Sequence, residues 1–122
     1  MKIALALTAL LSVPSFAADR LAFTCIIAPI VSNNIAVTLD AQVFASDAVG
    51  FNKMVVFINS GLTRKVLATY DVQYRQSRIE EIVNRKNGDV VLGYRNRAAP
   101  TREGQILIEL NGQKAYRDTI CY

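Results

Sequence analysis

The chain has 122 residues, 52% hydrophobic, 20% charged and 8% aromatic, with a formal net charge of +4. That length gives one small domain, and that mixture excludes a disordered tail or a collagen-like repeat. The absence of histidine also excludes Ser-His-Asp triads, Cys-His dyads and His-x-x-x-His zinc sites.

The first segment reads as an export signal. Met1-Lys2 is a short positive start, Ile3 to Val13 is an apolar run closed by Pro14, and Ser15-Phe16-Ala17 sets small residues at the two positions a signal peptidase requires. Eleven apolar residues are too few for a membrane helix, which needs about 20 to cross about 30 Å of hydrocarbon. Residues 1–17 are therefore expected to be a signal peptide cleaved after Ala17, leaving residues 18–122 as a single exported β domain. No cysteine stands immediately after the cleavage site and no second long apolar run occurs, so neither a lipoprotein nor an integral membrane protein is expected. The expected location is periplasmic, or else secreted.

Strand signals follow in order. Leu21 to Ala28 carries Phe23, Cys25 and Ile27 on one parity and is expected to close at Pro29, with a turn at residues 31–34. Ile35, Val37 and Leu39 alternate with Ala36, Thr38 and Asp40. Residues 41–52 fit a strand, a short helix or an edge loop. Met54 to Ile58 is a short apolar run ended by Asn59-Ser60-Gly61. From Lys65 to Arg75, apolar Val66, Ala68, Tyr70, Val72 and Tyr74 alternate with polar residues, broken only by Leu67. That period of two marks a strand with one wet face, and such clean alternation argues for an antiparallel sheet. Two hairpins are predicted, around Asn87-Gly88 and Asn111-Gly112, because an Asn-Gly pair accepts the positive φ angles of a type I′ turn. Residues 96–104, with Pro100, read as a long polar connection.

The expected fold is all-β: a small antiparallel β-sandwich or up-and-down barrel of seven to eight strands, two forms with the same alternation. The expected core is Phe23, Ile27, Val37, Leu39, Val55, Phe57, Val66, Ala68, Tyr70, Val72, Val90, Leu92, Ile106, Ile108, Leu110 and Ile120. Cys25 and Cys121 lie near the two ends of the exported part. In an oxidising compartment they read as one disulfide joining the terminal strands. The chain-entropy view gives such a bridge about 4–5 kcal/mol. Their separation is unlike the close Cys-x-x-Cys spacing of redox pairs.

At these two ends, Phe23-Thr24-Cys25 and Cys121-Tyr122, the layout resembles small periplasmic lysozyme inhibitors, where an aromatic-x-Cys on the first strand is bridged to a C-terminal cysteine across a β-barrel. The resemblance covers the ends alone. The Ser-Gly-containing loop that inhibits in that family has no counterpart here, and a basic chain repels a basic lysozyme, so membership is not assigned.

The exported part has no Ser-x-x-Lys, no Gly-rich phosphate loop and no calcium loop. Glu80 and Glu81 are neighbours on a strand, so they point to opposite faces and cannot flank one bond. No catalytic residue, cofactor or metal is expected. A different lead is the run of cations Arg75, Arg78, Arg85, Lys86, Arg95, Arg97 and Arg102, set against only Glu80, Glu81 and Asp89. If the second hairpin and the 96–104 connection share one end of the sheet, these form a positive patch suited to carboxylate or phosphate, flanked by Tyr74 and Tyr94. Otherwise they make a solvated, mixed-charge face. Export and the lack of any RNA-binding or zinc-finger signature argue against a nucleic-acid partner. The function expected is a non-enzymatic binding or accessory domain for another extracytoplasmic protein or an anionic envelope component. The alternatives are a protein inhibitor of an extracytoplasmic hydrolase or toxin, acting through residues 60–62 or 96–104, and a surface-assembly subunit acting by β-strand addition.

Overall fold

The computed structural model describes residues 19–32, 35–98 and 101–122. The signal peptide read over residues 1–17, Asn33-Asn34 of the first turn, Pro100 and the Arg97 side chain lie outside the described residues.

Eight strands follow one another: β1 (Arg20–Ser32), β2 (Ile35–Ser46), β3 (Gly50–Ser60), β4 (Thr63–Gln76), β5 (Glu80–Asn84), β6 (Val90–Ala98), β7 (Thr101–Leu110) and β8 (Gln113–Cys121). Each pairs antiparallel with the next and β8 returns to β1, so the chain is a closed up-and-down barrel rather than a sandwich. The start of β1, the end of β8 and the β2–β3, β4–β5 and β6–β7 connections share one end, here the upper end. The β1–β2 connection and the turns at residues 61–62, 85–89 and 111–112 share the lower end. Asn111 (φ 52°) and Gly112 (φ 78°) make the tight hairpin their chemistry predicts.

Three boundaries differ from expectation. β1 does not stop at Pro29 but continues to Ser32, with a register shift between Ile27 and Ile30. Proline is tolerated there because β8 pairs with β1 only as far as Ile27, leaving Pro29 on an edge where a missing N–H costs no ladder bond. Residues 41–52 complete β2, turn at 47–49 and begin β3. Residues 96–104 are not a long connection, since β6 and β7 extend through most of them and Ala98 pairs with Thr101.

The lumen is filled by side chains, the largest being Phe23, Leu39, Met54, Ile82, Leu92 and Ile106. Of the expected core, Phe23, Ile27, Leu39, Val72, Leu92, Ile106 and Ile108 are buried. Val37, Val55, Phe57, Ala68, Tyr70, Val90 and Leu110 are only half-buried. Val66 is 57% exposed and Ile120 39%. The causes are local. The unbroken apolar run of β3 hides its parity: Met54 and Val56 face inward, while Phe57 faces outward beneath the Arg64 guanidinium, 3.9 Å from its ring centroid. On β4 a register shift between Ala68 and Val66 turns Leu67 to the core and Val66 to water. On β8 the inward Cys121 and Thr119 leave Ile120 outside.

Cys25 and Cys121 form the expected disulfide. It sits in the shortest ladder of the barrel, the three β1–β8 pairs Cys25–Cys121, Ile26–Ile120 and Ile27–Thr119. Reciprocal backbone bonds between Thr24 and Tyr122, 3.0 and 2.8 Å, extend it upward. The Thr119 hydroxyl donates to the Ile26 carbonyl at 2.7 Å. Below that point the strands part, and Arg117 Nη2 donates across the gap to the Pro29 carbonyl at 3.2 Å. Replacing both cysteines by serine is expected to lower stability by about 2–5 kcal/mol. The urea midpoint measures this, and an unchanged midpoint would contradict the disulfide's structural role.

Gly104 marks the closest approach of β6 and β7. A Cβ there would run into the Gly93 carbonyl oxygen and lie 2.6 Å from Tyr94 Cα. At Gly93 a Cβ would meet only the movable Cδ1 of Ile79, at 2.9 Å. Gly104→Ala is therefore expected to destabilise by at least about 1–3 kcal/mol and Gly93→Ala by less. Thermal melts of the two variants decide, and equal melting temperatures would contradict this packing.

Candidate functional site

At the upper end the inward positions of β1, β3, β4 and β6 converge in an aromatic cluster. The Phe23 ring meets Phe51 edge-to-face at 5.5 Å and Tyr94 at 5.7 Å, and Phe51 meets Tyr74 at 5.9 Å. Phe23 and Tyr94 are buried, whereas Tyr74 reaches the rim and is exposed. The Tyr74 hydroxyl donates to the Glu80 carboxylate. That bond favours the protonated phenol, and Tyr74 is pushed up to about 12. Burial likewise raises Tyr94, and the charge and side-chain hydrogen bonding of the neighbouring Arg102 offset only part of the rise.

Arg102 shares the inward parity of Gly104, Ile106 and Ile108 on β7. Its guanidinium carbon lies 4.4 Å from the Phe23 ring centroid and 5.7 Å from that of Tyr94. The residue is half-buried, and its Nε–H is buried with no hydrogen-bond acceptor among the described residues. It takes part in no ion pair among the described residues.

The fold divides the basic run. Arg75 on β4, Arg78 in the β4–β5 turn, Arg95 and Arg97 on β6 and Arg102 on β7 belong to the upper end. Arg85 and Lys86 lie in the β5–β6 turn at the lower end, because the second hairpin points away from the β6–β7 connection. Arg85 is engaged in holding that turn: its Nε donates to the Val72 carbonyl at 3.2 Å, and its backbone N–H donates to Asp71 O at 2.9 Å. Arg75 is neutralised by Glu81 at 2.8 Å. Arg78 and Arg95 are exposed and, like Arg102, have no acidic partner within ion-pair distance among the described residues.

Away from this end Arg64 and Lys114 are matched, by Asp40 and Asp89, while Lys65 and Lys86 have no ion-pair partner among the described residues. Arg64 grips Asp40 through two nitrogens at 2.7 and 2.8 Å, and Asn59 donates to the same carboxylate at 2.8 Å. Partial burial pushes the Asp40 carboxyl up, yet the bonds from Arg64 and Asn59 and the guanidinium charge outweigh it and hold it below its ordinary 3.8. Glu80 and Glu81 point to opposite faces, one to Tyr74 and the other to Arg75. No group of three His, Cys, Asp or Glu residues among those described is placed to hold a metal ion.

Two of the depressions on the outer wall adjoin each other. One of about 610 Å³ follows the β1–β8 seam past Ile26, Pro29, Asp118, Ile120 and Tyr122. The other, about 340 Å³, runs over Gly93 between Ile79, Arg95 and Tyr116. They meet at Glu103 and Gly104. Neither this wall nor the aromatic mouth is foreseen from the sequence. The position of Arg102, in step with Ile106 and Ile108, is the available sign that it turns inward.

No family model, curated protein or solved structure matches the chain. No helix among the described residues is long and apolar enough to cross a membrane.

Removing the Glu80 carboxylate tests the geometry of the mouth. In Glu80→Gln, Tyr74 is expected to titrate back toward its ordinary 10, read from phenolate absorbance. Because the folded value is the raised one, the bond stabilises the fold below pH 10 and loses that effect as the pH rises through about 12. A variant that titrates like the wild type would remove Glu80 as the cause.

Proposed function

We propose that the protein is an exported, non-enzymatic binding domain that engages an acidic protein partner at the upper mouth of the barrel. The observation that carries this reading is the placing of Arg78, Arg95 and Arg102 at one end without acidic partners among the described residues. At the same end Arg20, Lys53 and Arg75 each have one, in Asp47, Asp19 and Glu81. Arg95 also borders the smaller outer depression, so a partner held at the rim can extend over Ile79 and Tyr116.

Three features support the setting. The disulfide is compatible with an oxidising compartment, in keeping with the leader read over residues 1–17. The outer wall carries exposed Asp71, Gln73, Gln105 and Asp118 at strand positions while the lumen is apolar, the reverse of a lipid-facing barrel. The filled lumen also favours recognition at the rim over a small molecule held inside.

Strand addition stands second. Gln113–Asp118 of β8 have no strand partner on the β1 side among the described residues. Lys114, Arg117, Asp118 and Pro29 blunt that edge, as charges and proline do on protected sheet edges.

Rim charges govern encounter rate and salt dependence. Arg78→Glu with Arg95→Glu is expected to weaken binding of a glutamate-rich synthetic peptide by at least about tenfold and to flatten its salt dependence. Lys65→Glu with Lys86→Glu, at the lower end, is expected to bind as the wild type does. Equal behaviour of the two double variants in fluorescence anisotropy would refute the upper mouth as the contact region.

A further inference from the structure

We infer that Arg102 is a preset receptor for a single carboxylate, presented by a side chain or chain end of an acidic protein segment. This rests on the reading above and names the group which that reading takes. Arg102 occupies an inward position where an aliphatic residue would be ordinary, since Ile106 and Ile108 follow it on the same face of β7. Instead a charge stands half-buried with a donor deprived of an acceptor, an arrangement that destabilises a fold unless something else satisfies it. The guanidinium is also held in place: it lies over the Phe23 ring at 4.4 Å, and Phe23 is itself fixed between Phe51 and Tyr94. A planar fork held flat on an aromatic surface loses little freedom on meeting a carboxylate, whose two oxygens match its paired N–H groups.

The surroundings favour one carboxylate over a phosphate-dense membrane surface. A recessed guanidinium is reached by a projecting side chain or chain end more readily than by headgroups lying in a plane. Arg78 and Arg95, exposed at the same end, supply the attractive field that brings such a segment in.

The test uses the oxidised full chain, labelled with ¹⁵N, and three probes: a glutamate-containing peptide, the same peptide with every Glu replaced by Gln and its C-terminus amidated, and phosphatidylglycerol vesicles. The acidic peptide is expected to move the Arg102 Nε–H resonance saturably, and the other two probes to leave it in place. Arg102→Leu is expected to bind the acidic peptide at least about tenfold more weakly while melting no lower than the wild type, because an unsatisfied buried donor is removed. Arg102→Lys keeps the charge without the fork and is also expected to bind weakly. Should Arg102→Leu fail to fold, the wild-type resonance and Arg102→Lys decide. Binding that survives in Arg102→Lys, or an unmoved Arg102 signal, overturns the inference. If that binding still depends on Arg78 and Arg95, the wider reading stands without it. No binding of the acidic peptide at all overturns both, and tighter binding to vesicles than to peptide overturns the choice of carboxylate.

Discussion

The closure of β8 onto β1 is the constraint on which the rest of the molecule depends. An eight-stranded sheet has two edges until its first and last strands meet, and here they meet through three residue pairs, one of them covalent. The bond also sets direction. Cys25 and Cys121 face the lumen, so Phe23 and Ile27 on one strand and Thr119 on the other face it too. Across β8 the same row continues to Arg102 and across β1 to Ala41. The inward position of the mouth arginine follows from the parity that the cysteines impose.

Much of the architecture can be read from the chain because local chemistry and the global fold agree. The alternation from Lys65 to Arg75, the Asn111-Gly112 turn and the two cysteines each specify a feature with little competition. Residues fail to predict their place where that agreement breaks. Met54 to Ile58 is apolar throughout, so nothing in it says which side is wet. Val66 lies beyond a bulge that reverses the parity of its strand, and Leu67, which looks like an irregularity, takes the inward place. Ile120 was decidable: a cysteine bridged to the inward Cys25 must itself face inward, and its neighbour must then face out.

The candidate site was only half legible. Composition pointed to a basic stretch, but strand direction decides which of its members meet, and one hairpin sent Arg85 and Lys86 to the far end. Pairing sorts the rest. Arg75 is matched by Glu81 directly across the ladder, whereas Arg78, Arg95 and Arg102 are not matched. The aromatic setting of Arg102 comes from residues far apart in the chain, Phe23 on β1, Phe51 on β3 and Tyr94 on β6, and no local pattern signals such a gathering.

The seam has two unlike halves. Above Ile27 it is clamped by sulfur and backbone bonds, and below it a guanidinium spans the space between two diverging ribbons. Opening the seam therefore breaks a covalent link and a backbone ladder near the orifice but far fewer bonds along the lower flank, the side that carries none of the proposed recognition groups. Such a division lets a small shell flex without loosening the fit at its opening.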